Sequence, residues 1–126
     1  MLCTVLGICA TLSGVPHIQD GDTLIVQGQS VRLYGIDAEE LGEPNGYPAK
    51  YALMSLINRQ PVTCRGTGAS SHHRIIARCY LRDGREINRL MVSNGHALDC
   101  RAYSHGQYRN AEPANARARL IQKPYC

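Results

Sequence analysis

The clearest alternation of apolar and polar positions lies early in the chain, where two short apolar runs flank a turn centred on a glycine. Thr23–Val26 and Ser30–Ile36 are rich in β-branched and aliphatic residues, and Gln27–Gln29 separates them. Two such runs joined by a short glycine-containing turn predict an antiparallel β-hairpin.

Acidic residues stand at both ends of this predicted hairpin. Asp20 and Asp22 precede its first strand, and Asp37 and Glu40 follow its second. Because a hairpin returns the chain to the edge from which it started, we expect these carboxylates to be neighbours. Clustered carboxylates repel one another unless they bind a proton or a cation, and oxygen ligands alone favour calcium or magnesium over zinc. The alternative interpretation is that Asp-Gly-Asp forms a solvated turn.

Basic residues are more numerous than acidic ones, and nearly all are arginine. The formal net charge is +4, with twelve arginines and two lysines. This bias suits a polyanion such as nucleic acid, although +4 is also ordinary for a soluble protein. Arg32, in the second predicted strand, is positioned to hold a phosphate bidentately, or else is an exposed strand residue. Arg85 and Arg117 are expected to act only as general surface charges.

Further strands are predicted later in the chain. Pro61–Cys64 and Arg74–Leu81 have strand character, and the segment GTGASSHH between them is predicted to be a flexible loop. The chain has no Phe or Trp, so the core is expected to consist of Leu, Ile, Val, Ala, Met and Cys. A length of 126 residues predicts one domain spanning residues 1–126.

Helical periodicity predicts about three helices. One begins near Pro48, and five residues are expected to form its apolar side: Tyr51, Leu53, Met54, Leu56 and Ile57. Others are predicted at Glu86–Asn94 and at Ala114–Gln122, whereas Tyr103–Glu112 receives no assignment. Strands and helices together predict a small, mainly β, α+β domain.

The cysteines favour structural disulfides over a metal site, because none of the six has zinc-finger spacing. Cys64 ends one predicted strand and Cys79 lies in the next, so we expect them to pair across the strands. Cys100 with Cys126 is a second candidate pair. Disulfides imply export, so the predicted location is secreted or periplasmic, or cytoplasmic if the thiols are reduced.

The opening MLCTVLGICATLSG is apolar and has two interpretations. It is either part of an export signal or the start of the first strand. It lacks a positively charged start and is too short to span a membrane, and no membrane association is expected. Its cysteines, Cys3 and Cys9, are expected to be unpaired.

Three motifs together resemble the staphylococcal nuclease (thermonuclease) family. They are DGDT, the arginine-containing VRLYGIDAEE, and a second arginine in HHRIIARCYL. Their order and spacing resemble the family pattern from about Thr11 to about Arg119. This resemblance implies a five-stranded Greek-key barrel of the oligonucleotide-binding (OB) type with helices packed on it.

The resemblance also implies a cofactor and a reaction. Calcium is the implied cofactor, with the side chains of Asp22 and Asp37 and the backbone carbonyl of Ala38 as ligands. Glu40 corresponds to the glutamate assigned as general base for the attacking water. A dication and arginines are the groups that stabilise the charge developing on a phosphodiester during hydrolysis.

The remaining implied site residues contact substrate. Arg32 and Arg74 correspond to the two arginines that bind the phosphate. His72 stands where the family has a tyrosine close to the substrate, and Tyr103 corresponds to a tyrosine lining the substrate groove. His72 is suited to stacking on a base or to touching phosphate. Tyr103 alternatively packs on the last helix.

Two departures from the family pattern affect this site. Glu39 replaces a proline, which makes it a second candidate for the base beside Glu40. His72-His73 replaces Tyr-Gly, which changes the residues that set the loop conformation. Apart from the resemblance, a paired HH is more typical of a solvated loop than of a metal site.

The predicted function is a calcium-dependent nuclease acting on DNA and RNA with low sequence specificity. Single-stranded or frayed duplex substrates and a monomeric protein are expected. The alternative is a catalytically inactive OB-fold module that binds single-stranded nucleic acid or a protein partner. All five matched side chains of the catalytic pattern are present, which favours the enzyme.

Overall fold

A computed structural model of the chain describes residues 10–126. Its strands are β1 (Thr11–Gly14), β2 (His17–Asp20), β3 (Thr23–Val26), β4 (Gln29–Leu33), β5 (Ile36–Asp37), β6 (Val62–Ser71), β7 (Arg74–Tyr80) and β8 (Leu98–Asp99). Its helices are α1 (Gly46–Ile57), α2 (Ile87–Ser93), α3 (Arg101–Ser104) and α4 (Ala116–Arg119), with a 3-10 turn at Arg109–Ala111. The predicted α+β class is confirmed. Cys3, Cys9 and most of the segment considered as an export signal lie outside the described residues.

Six strands form one sheet in the order β1-β6-β7-β4-β3-β2. Every neighbouring pair is antiparallel except β4 with β7, which is parallel. The edge strands β1 and β2 are consecutive in the chain and are separated only by Val15 and Pro16. The two edge strands are therefore linked by the chain itself and not by hydrogen bonds between them. Pro16 lies in this link, and a proline has no N–H to donate to a neighbouring strand. This strand order fits the predicted OB barrel.

The strand predicted at Ser30–Ile36 is divided in two. β4 ends at Leu33, and Gly35, with φ +73°, turns the chain so that β5 pairs with β8 in a separate two-stranded sheet. A Cβ at Gly35 would lie 2.9 Å from the Tyr108 ring, so only glycine fits there. Tyr108 is itself fully buried, which corrects the prediction of a core without aromatic residues.

The β6–β7 hairpin is longer than predicted. Most of GTGASSHH belongs to β6, and only His72 and His73 form the turn. Their φ values are +51° and +64°, the pattern of a type I′ hairpin turn. Pairing with β7 outweighs the weak strand propensity of the Gly and Ser residues. Cys64 and Cys79 face each other in this ladder and form the predicted disulfide.

The helices cover the barrel with small apolar faces. Leu53 and Ile57 of α1 are buried, but Tyr51 and Met54 are exposed, so the predicted apolar side of this helix was too wide. The segment Tyr103–Glu112, which received no assignment, contains the end of α3 and the 3-10 turn. None of the helices within residues 10–126 has the length and apolar content that a membrane crossing requires.

The helix predicted at Ala114–Gln122 is reduced to the single turn of α4. Beyond it the backbone N–H of Ile121 donates to the Glu39 carboxylate (3.1 Å), and that of Lys123 donates to Asp37 (2.9 Å). Side-chain acceptors on another part of the chain thus replace the helical carbonyls. The chain then ends at the second predicted disulfide, between Cys100 and Cys126.

Arg117 is not the free surface charge that the sequence suggested. Its guanidinium contacts the Glu112 carboxylate (2.9 Å) and the Asp99 carbonyl (3.1 Å), so it joins α4 to β8. The Arg85 side chain, by contrast, is largely exposed and pairs with Asp83, two residues away.

Candidate active site and substrate cleft

The Asp-Gly-Asp turn between β2 and β3 is packed under α1. A Cβ at Gly21 would lie 2.6 Å from the Cβ of Ala49 and 2.8 Å from that of Ala38, so the close approach requires glycine. Asp22 is only 7% exposed. The interpretation of this segment as a solvated turn is therefore wrong.

The Asp22 carboxylate contacts an arginine and the start of the loop at residues 37–43, called here the acidic loop. Its Oδ2 accepts the backbone N–H of Ala38 (2.9 Å) and lies 3.3 Å from Nη2 of Arg32, while Oδ1 accepts the Thr23 hydroxyl (3.3 Å). Arg32 also donates from Nη1 to the Leu33 carbonyl (2.8 Å), and its side chain is 13% exposed. Burial raises the pKa of Asp22 to about 6, although the Arg32 charge opposes this change.

Asp37 lies at the centre of a second group of contacts. Its Oδ2 accepts the backbone N–H of Lys123, whereas Oδ1 is buried without a hydrogen-bond partner, 3.5 Å from Nζ of Lys123. The same ammonium donates to the Ala38 carbonyl and to the Glu43 carboxylate, both at 3.2 Å, and lies 3.9 Å from Glu40. Burial raises the pKa of Asp37 even though the Lys123 contacts act against it. A single lysine from far along the chain thus offsets part of the negative charge of the acidic loop.

The two adjacent glutamates differ in their availability. Glu39 is 3% exposed, and its carboxylate accepts hydrogen bonds from the backbone and side chain of Asn45 and from the backbone of Ile121. Its oxygens are therefore committed to holding the loop. The Glu40 side chain is 64% exposed at the rim, so it is the one accessible to a water molecule.

Arg32 and Arg74 lie on the same face of the barrel. Arg32 is in register with Ile76 of the parallel neighbour β7, and Arg74 precedes Ile76 by two positions, so both arginines face the same side of the sheet. Arg74 donates to the Thr23 hydroxyl (3.4 Å), next to Asp22 in the chain.

A cleft of about 760 Å³ lies beside these arginines. Both arginines line it, together with other polar and aromatic side chains: His72, Tyr103, His105 and Tyr125. His72 reaches the cleft from the hairpin turn. Tyr103 packs edge-on against Tyr125, with 6.3 Å between ring centroids, rather than on the last helix. Because Arg32 also pairs with Asp22, its guanidinium lies between the cleft and the Asp22 carboxylate.

Sequence reasoning missed Lys123, Glu43 and Tyr125. One signal was present for Lys123, which precedes Cys126 by three residues. A Cys100–Cys126 disulfide fixes the end of the segment that carries Lys123 and so brings this lysine back onto the fold.

The predicted metal ligands are two carboxylates and one backbone carbonyl. Across residues 10–126, no group of three or more His, Cys, Asp or Glu side chains converges as a metal site. Asp22, Asp37 and the Ala38 carbonyl supply only oxygen donors, which suit a hard cation. The unpartnered Oδ1 of Asp37 is a buried oxygen that such a cation would satisfy. The residues therefore fit calcium.

The chain is similar in sequence to several known proteins. The chain is 27% identical over 117 residues to the succinoglycan biosynthesis protein ExoI of Rhizobium meliloti, covering 84% of the chain and 61% of that protein. It is 32% identical over 129 residues to an "uncharacterized endonuclease" of Haemophilus influenzae (96% and 72% covered). A protein of the same description in Escherichia coli is 32% identical over 95 residues (71% and 62% covered). The chain thus spans about six tenths of the length of the first and third relatives.

A sequence model of the family described as "Staphylococcal nuclease homologue" matches residues 30–123. This match covers 94 of the 126 residues and includes Arg32, Asp37, Glu40 and Arg74. The chain belongs to the staphylococcal nuclease family.

Proposed function

We propose that this chain is a calcium-dependent nuclease that hydrolyses phosphodiester bonds in DNA and RNA with little sequence specificity. Family membership and the endonuclease names of two relatives support this proposal. The observation that carries it is the position of Arg32, a largely buried guanidinium shared between the cleft and the Asp22 carboxylate. A phosphate in the cleft would meet a fixed arginine next to a cation site.

The chain's own residues have distinct roles in this proposal. Asp22, Asp37 and the Ala38 carbonyl hold calcium, which when bound supplies positive charge for the phosphoryl oxygens. Arg32 and Arg74 bind the phosphate and stabilise the charge that grows on its oxygens as water attacks.

Glu40 accepts the proton of the attacking water in this scheme. Its exposure and its position at the rim of the acidic loop support this assignment over Glu39, whose oxygens are all used within the protein.

Substrate contacts in the cleft are aromatic and cationic. His72 and Tyr103 offer flat surfaces on which unpaired bases stack, a mode of binding that tolerates any base. We therefore propose that single-stranded or frayed nucleic acid is preferred and that the monomer is sufficient.

The proposed location is outside the reducing cytoplasm. Both disulfides, Cys64–Cys79 and Cys100–Cys126, are compatible with an oxidising compartment. Non-reducing peptide mapping of natively isolated protein should recover both cross-linked peptides. Free thiols at these positions would contradict export.

Plasmid degradation with calcium and with a chelator tests the proposed function, alongside calorimetric calcium titration of wild type and Asp22→Ala. We expect calcium-dependent degradation, and one binding site that is lost in the variant. If Asp22→Ala binds calcium as the wild type does, Asp22 is not a calcium ligand.

The second candidate function is a nucleic-acid-binding module without catalysis. The Lys123 ammonium favours this candidate, because it already contacts the Asp37, Ala38 and Glu43 oxygens and so offsets part of the loop's negative charge. Binding of single-stranded DNA without degradation under any metal condition would support this candidate.

A further inference from the structure

The Lys123 ammonium contacts the oxygens that the proposed function assigns to calcium. Two of them, the Ala38 carbonyl (3.2 Å) and Asp37 Oδ1 (3.5 Å), belong to the proposed ligand set. The third close oxygen is that of Glu43 (3.2 Å). Two of the three N–H donors of Lys123 form hydrogen bonds, to Ala38 and Glu43, and the charge also pairs with Asp37, so at most one donor is left for a phosphate. Lys123 is therefore poorly suited to replacing the metal in catalysis.

Several contacts hold this lysine in place. The segment Ile121–Cys126, called here the C-terminal strap, begins with the Ile121 N–H bound to Glu39 and ends at the Cys100–Cys126 disulfide. Within the strap, Tyr125 packs on Tyr103 and lines the cleft beside Arg32. The strap thus lies over both the acidic loop and one end of the cleft.

We propose that the C-terminal strap is an internal competitor of calcium: the Lys123 ammonium and the metal bind the same oxygens and exclude each other. This inference rests on the proposed calcium site at Asp37 and Ala38. Two cations cannot share one set of ligand oxygens, because both would lie within a few ångströms of each other in a poorly hydrated site. Metal loading therefore requires Lys123 to leave.

Tethering makes this competitor effective. A group attached to the chain acts at an effective concentration in the millimolar range, and the disulfide shortens the tether at its far end. If the site is free of Lys123 for about one tenth of the time, the apparent calcium affinity falls about tenfold. Removing the ammonium should therefore raise the apparent calcium affinity by about tenfold.

The test compares calcium titrations of wild type, Lys123→Met and Lys50→Met by calorimetry at one pH and ionic strength. Methionine keeps the length of the apolar stem of lysine and removes the charged ammonium. Lys50, on α1, is the only other lysine and takes no part in these contacts, so its replacement controls for the change in net charge. We expect Lys123→Met to bind calcium at least about tenfold more tightly, and Lys50→Met to stay within about twofold of wild type.

Thermal unfolding with and without calcium gives a second readout that does not depend on activity. Calcium should raise the midpoint of Lys123→Met by more than that of wild type, because calcium binds the folded variant without first displacing an ammonium. If Lys123→Met does not fold, Cys126→Ser loosens the strap without removing a charge. It should tighten calcium binding by about threefold or more.

The possible results test the competition by Lys123 and the calcium site itself separately. Equal calcium affinity in wild type and folded Lys123→Met overturns the competition but leaves the calcium site standing. Weaker binding in Lys123→Met also overturns it, and would make Lys123 a support of the site. Absence of calcium binding in all variants overturns the proposed calcium site and the inference together.

Discussion

Replacing Arg32 with lysine isolates what a fixed guanidinium contributes, because the charge is kept and the fork is lost. One of the five N–H donors of Arg32 forms a hydrogen bond within the protein, to the Leu33 carbonyl (2.8 Å), and Nη2 forms an ion pair with Asp22 at 3.3 Å. At most four donors remain for a phosphate. A lysine that kept the Leu33 hydrogen bond would have at most two.

This loss of two donors sets the expected magnitude. Removing one donor that stabilises a developing oxyanion costs about 2.7–4 kcal/mol of transition-state stabilisation, or roughly a hundred- to thousandfold in kcat. Arg32→Lys should therefore lower kcat at least about a hundredfold. KM should change less, because charge on the phosphoryl oxygens is greatest in the transition state.

Steady-state kinetics on a short oligonucleotide, with circular dichroism and calcium titration in parallel, measure this effect. Arg74→Lys should show a similar loss of kcat. Arg85→Lys is the matched control, because the Arg85 side chain is exposed and pairs with Asp83. The control should retain kcat within about twofold. Near-normal kcat in both Arg32→Lys and Arg74→Lys would refute the phosphate-clamp reasoning and support the binding module.

Three further predictions concern stability. Burial raises the pKa of Asp22 from 3.8 to about 6, so the folded metal-free protein binds this proton more tightly than the unfolded chain. Its free energy of unfolding should fall by up to about 3 kcal/mol from about pH 4 to about pH 6, and urea titrations with chelator should show that Asp22→Asn lacks this fall. Gly21→Ala places a methyl group 2.6 Å from Ala49 and should cost about 1–3 kcal/mol in urea unfolding, whereas Gly42→Ala, with open space, should be nearly neutral. His73→Gly removes the backbone strain of a non-glycine residue at φ +64°, so the free energy of unfolding should rise by about 0.5–1 kcal/mol and the melting temperature with it. A lower melting temperature would contradict the turn assignment.

Local sequence determined the parts of this protein that depend on neighbouring residues. The β3–β4 hairpin, the strand at Arg74–Tyr80 and the helix at Ile87–Ser93 follow from short-range periodicity and turn residues, and each lies close to its predicted position. The Cys64–Cys79 pair also follows, because a hairpin places its two strands side by side. The motifs with Asp22 and Arg32 pointed to the family for the same reason: their spacing is local.

Only the tertiary structure decided which cation contacts the acidic loop. Lys123 reaches Asp37 across 86 positions of sequence because the α4 helix stops after one turn and a disulfide holds the end of the chain. The distinction between Glu39 and Glu40 arises likewise from burial against Asn45 and Ile121, which no periodicity encodes. Adjacent residues of identical chemistry differ once packing removes water from one and leaves the other exposed, and that difference exists only in the folded chain.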